Sequence, residues 1–157
     1  MNESDSKFMS LAIKRAKAGI KKGQTPFGAC LVKGGKVISC EHNTVWRCGD
    51  ITAHAEMVAI KKACRKLKTI DLSGCVIYST CEPCPMCFSA CHWARISRIV
   101  YGAGIRDAKA SGFNELPIPN AHMKSYGKSD IKITGGVLRE DNLRLFEIWR
   151  NSGGKEY

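Results

Sequence analysis

The sequence predicts an α/β domain: three layers, with a mixed five-stranded sheet between two layers of helices. Three observations carry that expectation. Segments of helical and strand-like apolar period alternate in the order α-β-β-α-β-α-β-loop-β-α, the pattern of helices packed on both faces of a sheet. The chain has 157 residues and 44% apolar composition, enough for a single core. Two stretches rich in metal-ligating residues fall where strands give way to helices, the end of an α/β sheet at which ligands bind.

Asp5 or Ser6 is read as the cap of a first helix, in which Phe8, Leu11, Ala12, Ala16 and Ile20 recur at helical spacing before Gly23 ends it. Pro26-Phe27-Gly28 turns into a strand at Ala29–Val32. Lys33-Gly34-Gly35-Lys36 closes a hairpin onto Val37–Cys40, so this pair is antiparallel. Glu41–Asp50 reads as a polar loop. A helix runs from Ala53 to Leu67, a third strand from Cys75 to Tyr78, and a helix opening at Pro85 runs to about Arg95. Ile96–Tyr101 is a fourth strand, and helix-linked strands are expected parallel with right-handed crossovers. The segment 102–129 is long and irregular; such a loop is functional, partly helical or disordered. Ile131–Thr134 is a fifth strand, and Glu140–Arg150 a final helix with Leu143, Phe146 and Trp149 on its apolar stripe.

The charge balance is 25 basic against 14 acidic residues, net +11. That excess suits acidic partners such as nucleic acid. A simpler origin competes and is preferred: the cations cluster on two helices, Lys61, Lys62, Arg65, Lys66 and Lys68 at the C-terminal end of one of them, where the helix dipole favours them. Nine cysteines, an odd number, do not read as a disulfide framework. Cys30, Cys40, Cys64 and Cys75 are expected as small packing residues, and Cys48 as an exposed thiol. The start, Met1 to Ser6, has neither the basic nor the apolar region of a signal peptide, and no apolar run approaches the ~18 residues of a membrane helix. A cytoplasmic protein without membrane contact is the expectation.

The chemistry concentrates in Ser79-Thr80-Cys81-Glu82-Pro83-Cys84-Pro85-Met86-Cys87 and Thr52-Ala53-His54-Ala55-Glu56. Zinc takes thiolate and imidazole ligands in a tetrahedron, and catalytic sites leave the fourth position to water. His54, Cys84 and Cys87 form such a set. Cys84 and Cys87 stand three apart at a helix start, able to project to one side where the helix terminus favours thiolate. Glu56, two residues past His54, is better placed beside the metal than on it, as the general acid–base. A closed structural site made from Cys81, Cys84, Cys87 and Cys91 competes, but it leaves His54, Glu56 and Asn43 without a role.

His54-Ala55-Glu56 followed by Pro83-Cys84-Pro85-Met86-Cys87 is the H-x-E…P-C-x-x-C signature, and on it the chain resembles the cytidine-deaminase-like zinc deaminases. The resemblance implies that fold, one Zn²⁺ per subunit, and hydrolytic loss of ammonia from an aminated base. It also implies a backbone contact from Ala55, a substrate amide at Asn43, and a pocket wall at Phe27. Within the family the chain looks most like bacterial-type guanine deaminases, through Pro26–Ala29, Asp50–Glu56, Cys81–Cys87, Trp93-Ala94-Arg95, Gly112-Phe113 and the ending Trp149-Arg150-Asn151 to Lys155-Glu156-Tyr157. On that likeness Trp93 and Tyr157 join the substrate contacts. The same likeness implies a homodimer, in which the tail, residues 151–157 of a single domain 1–157, can cross to the partner subunit or stay with its own.

The sequence departs from that pattern where acidic residues serve guanine: Asn114, followed by Glu115, stands at the first position, and Glu140 or Asp141 at the second. Guanine or a related purine or heterocycle is therefore the expected substrate. A tRNA adenosine deaminase is the alternative, resembled by Arg106–Gly112 and suited by the net charge. A zinc-bearing nucleic-acid-binding module without catalysis is the third reading.

Overall fold

The structure, a computed structural model, describes residues 3–157; Met1 and Asn2, part of the N-terminal stretch read above, lie outside them. The described residues form α1 (Glu3–Ile20), β1 (Gly28–Lys33), β2 (Lys36–His42), α2 (Val45–Cys48), α3 (Ala55–Leu67), β3 (Cys75–Cys81), α4 (Pro85–Trp93), β4 (Arg98–Ala103), α5 (Ile105–Ala110), α6 (Asn120–Gly127), β5 (Lys132–Thr134) and α7 (Arg139–Asn151). The five strands form one sheet in the order β2-β1-β3-β4-β5. The hairpin β1–β2 and the pair β1–β3 are antiparallel, while β3–β4 and β4–β5 are parallel. This is the mixed sheet expected from the element order, because each parallel pair is joined through a helix.

Alternation along β1 and β3 sorts the core into two layers. Cys30, Val32 and Tyr78 face α1 and α7, with Phe8, Ala12, Phe146 and Trp149. Ala29, Leu31, Cys75 and Ile77 face the opposite side, with Ala55, Ala59 and Ala63 of α3 and Phe88 and Cys91 of α4. Gly28 admits α1 against the strand start, since a Cβ there would run into the Ala12 carbonyl. Among the described residues no helix is long and apolar enough to cross a membrane.

Several boundaries differ from the sequence expectation for identifiable reasons. Helix α1 already includes Glu3, so Asp5 lies inside it instead of capping it. Its carboxylate is buried and takes a two-pronged bond from Arg98 of β4 (2.7 and 3.1 Å) and one from the Tyr78 hydroxyl (2.9 Å). Strand β3 runs on to Cys81, which pairs with Ala103, so the cysteine-rich stretch starts within the sheet. The loop after β2 holds the short helix α2, and the 102–129 segment holds α5 and α6.

Arg98 tethers α1 to the sheet through a carboxylate removed from water, and losing one partner of such a pair strands the other. Arg98→Ala is expected to lower unfolding free energy by about 2–3 kcal/mol, a Tm drop of roughly 6–9 °C. Calorimetry checks this; a change under about 0.5 kcal/mol would mean that water screens the pair.

Candidate active site and metal centre

Two helix starts converge at the carboxyl end of β3. His54 stands at the N-cap of α3 with extended backbone (φ −61°, ψ 154°), and Cys84 at the N-cap of α4 (φ −63°, ψ 167°). Pro85 follows Cys84 and fits the first turn, where no N–H is missed. Cys87 comes at the third helical position and turns back beside Cys84. His54 Nδ1 lies 3.7 Å from Cys84 Sγ and 3.6 Å from Cys87 Sγ. The three ligand atoms all fall within 4.8 Å of one another.

Zinc bond lengths of about 2.3 Å to sulfur and 2.05 Å to nitrogen, opened at the tetrahedral angle, put N and S about 3.6 Å apart. The observed separations match that distance, and two thiolates with one imidazole are a borderline-soft donor set. The residues fit a zinc ion with one position left open. Cys81 stays out of the set: it is buried at the end of β3, with Sγ 3.6 Å from the Gly104 carbonyl. Cys91 packs in the apolar layer under α4.

Electrostatics follow from this packing. Hydrogen bonding with Cys87, and then with His54, brings the Cys84 thiol down to about 4, so it is a thiolate at neutral pH. Glu56 is buried, and burial pushes its carboxyl above the usual range. Its Oε1 accepts from the Ser79 hydroxyl at 2.8 Å, and its Oε2 lies 3.6 Å from Cys87 Sγ. A raised carboxyl beside the His54–Cys84–Cys87 triad suits a group that both takes and returns protons. Ser79 was not singled out from the sequence. Period-two alternation with Cys75 and Ile77 was the available signal, since it puts Ser79 on the face that α3 covers.

A cavity of about 370 Å³ opens over these groups, the size range of small-molecule sites. Phe27, Phe113 and Tyr157 form its aromatic wall; Asn114, Glu115 and Leu116 arrive from the segment between α5 and α6. Phe27 meets Phe113 edge-on at 4.9 Å. Burial, and next the charge of Cys84, push Glu115 up to about 7.

The tail folds over the mouth of its own chain's cavity. The Trp46 indole N–H donates to the Lys155 carbonyl (3.0 Å), and the Tyr157 ring stands 5.8 Å from the His54 ring and 6.0 Å from that of Phe113. Asn43 is buried behind this wall. Its amide donates to the Tyr157 hydroxyl at 2.6 Å and its carbonyl accepts the Val45 N–H at 3.0 Å. Ala55 is the fully buried first residue of α3.

Of the expected contacts, Phe27, Asn114 and Tyr157 line the cavity, Asn43 and Ala55 are buried beside it without lining it, and two others stand away from it. Trp93 is the last residue of α4, about 12 Å of helix rise from Pro85, and is 82% exposed. Asp141 sits on the outer face of α7, its side chain half exposed and 3.6 Å from Arg144, because Asn142, Leu145, Phe146 and Trp149 take the inward face. Glu115, in contrast, stands in the cavity wall.

The likeness to known proteins follows the same lines. Residues 2–103 match the family described as the cytidine and deoxycytidylate deaminase zinc-binding region. A guanine deaminase of Bacillus subtilis (strain 168) is 39% identical over 150 residues, covering 95% of this chain and 96% of the relative. A tRNA-specific adenosine deaminase of Aquifex aeolicus (strain VF5) is 48% identical over 116 residues, 71% of this chain and 76% of the relative. A crystal structure solved in complex with 2,6-diaminopurine superposes with a TM-score of 0.87 at 31% identity, covering 98% of this chain and 85% of the other. With the zinc-fitting triad of His54, Cys84 and Cys87 lying at the heart of the matched region, the chain belongs to the zinc-dependent cytidine and deoxycytidylate deaminase family.

Proposed function

We infer that this protein is a zinc-dependent hydrolase that deaminates an aminated purine base, guanine or a close relative, and releases ammonia. The observation that carries the reading is the buried carboxylate of Glu56 beside the open side of the His54–Cys84–Cys87 triad, inside a cavity that the chain's own tail closes. Support comes from the guanine deaminase relative that spans nearly the whole chain and from the purine complex of the structural neighbour.

His54, Cys84 and Cys87 would hold the ion, which when bound would make a water a nucleophile at neutral pH. Glu56 accepts a proton from the attacking water, passes one to the ring nitrogen beside the carbon under attack, and helps protonate the departing amine. Ser79 keeps the Glu56 carboxylate turned toward that position. Phe27 and Phe113 pack the base faces, Asn114 and Glu115 offer acceptors to its ring N–H groups, and Tyr157 seals the edge. Asn43 acts beside Tyr157, and Ala55 borders the base through its backbone.

The tRNA adenosine reading has its own support, in the 48% identical relative and the net charge of +11. An RNA loop reaching Glu56 must first displace Tyr157 from Asn43, and a free base need not. We also propose a single-domain homodimer, with a second copy on the α4–α6 side, where Trp93 and Tyr126 stand more than four-fifths exposed. A cytoplasmic location fits nine unpaired cysteines.

Ammonia release from a panel of free bases, nucleosides and tRNA tests the reading; turnover of tRNA alone would overturn it. Glu56→Gln is expected to keep zinc and fold while activity falls by about three orders of magnitude or more. Metal analysis separates the cysteines: Cys84→Ser and Cys87→Ser lose zinc, whereas Cys81→Ala retains one ion per chain. Zinc loss from Cys81→Ala would instead point to the closed structural site. Removing residues 153–157 is expected to raise KM for a free base about tenfold with kcat less affected, because the tail supplies a wall and no proton.

A further inference from the structure

Glu82 lines the same cavity, lies two residues before the ligand Cys84 and is buried, but the chemistry above gives it no part. Both of its carboxylate oxygens are committed to backbone. Oε2 accepts the Ile105 N–H at 3.0 Å, where α5 begins, and Oε1 accepts the Asn120 N–H at 2.7 Å, where α6 begins. Its own N–H donates to the Ala103 carbonyl at 2.8 Å, and the Asn120 side-chain amide donates to the neighbouring Pro83 carbonyl at 2.6 Å. One side chain thus grips both ends of the 105–120 segment.

That segment delivers Phe113, Asn114, Glu115 and Leu116 to the cavity. Between the two grips its hydrogen bonds are mostly local. Glu115 N–H donates to Phe113 carbonyl and Ile118 N–H to Leu116 carbonyl, each at 2.7 Å, and Lys109 Nζ reaches the Glu115 carbonyl at 3.2 Å. These bonds set the curvature of the loop and not its place over the metal corner. The Asp107–Arg139 pair at 2.7 Å ties α5 outward to α7 and leaves the α6 end untouched. Charge-assisted bonds to a buried carboxylate are about twice as strong as neutral ones, and Glu82 joins the loop to the strand end that carries Cys84.

We propose that Glu82 is a positioning residue for substrate selection: it registers the 113–116 wall against the zinc corner by holding the starts of α5 and α6 together. The loop claim stands on geometry alone; the selectivity claim rests on the deaminase reading. Glu82→Gln keeps the shape but turns an NH₂ toward one of the two N–H donors. Glu82→Asp is one methylene shorter and reaches one amide and not both.

Hydrogen–deuterium exchange on the zinc-loaded protein reads the loop directly. Both variants are expected to keep one zinc per chain and to speed exchange across 105–120 at least about tenfold, with peptides covering 54–60 and 85–93 unchanged. Arg139→Ala is expected to loosen 105–110 only. Kinetics on the best base should show KM up about tenfold with kcat within about threefold, and a flatter ranking among bases. Unchanged exchange in 105–120 overturns the proposal, as does a uniform rise over the whole chain in both Glu82 variants. If the wild type turns over no base, the deaminase reading fails, while the exchange comparison still decides the loop claim.

Discussion

The meeting of two helix N-termini at the end of β3 is the constraint on which the site depends. Parallel pairing of β3 with β4 sends the chain out at the carboxyl edge of the sheet, and α3 starts at the same edge from the other side of β1. There His54 Nδ1 comes within 3.7 Å of two sulfurs. Unfilled N–H groups at both termini favour negative charge, which suits the Cys84 thiolate, whereas the bond with Cys84 and burial push Cys87 up and burial pushes Glu56 up. A divalent ion held by two thiolates would be neutral, which would leave Glu56 as the one negative charge beside it. Moving either helix by one residue would separate the nitrogen from the sulfurs and remove the reason for burying Glu56.

Around this corner the cavity is assembled from distant parts of the chain. Phe27 enters from the turn before β1, Asn114 and Glu115 from the segment after β4, and Tyr157 from the tail. The wall packs through ring contacts of 4.8–6.4 Å among Phe27, Phe113, Phe146, Trp149 and Tyr157. Chemistry therefore sits on rigid helix starts, whereas the walls that select a substrate sit on loops.

Legibility in the sequence tracks how local each determinant is. The hairpin at Gly34-Gly35, the apolar stripes of α1 and α3 and the strand cores are short-range patterns, and they lie where the sequence puts them. Asp5 shows the limit. Its composition says helix cap, yet Arg98, 93 residues away, draws it into a buried pair. Trp93 and Asp141 stand away from their own chain's cavity for a related reason: likeness of sequence carries a residue type over, but the helical angle decides whether it faces that cavity or solvent. Tyr157 at the end of the tail lines the cavity of the chain that carries it, a contact 114 residues from Asn43 that no local pattern shows.

The sequence by itself determined the candidate metal ligands, because His54, Cys84 and Cys87 lie in two short stretches at helix starts, and the fold then brought those stretches together. It determined the sheet as well, through its alternating periods. Only the tertiary structure decided which groups complete the site. Ser79 beneath Glu56, Asn43 on Tyr157, and Glu82 between α5 and α6 are pairings of residues 23, 114 and 23 to 38 positions apart. Such pairings arise from how layers pack, and no local pattern encodes them.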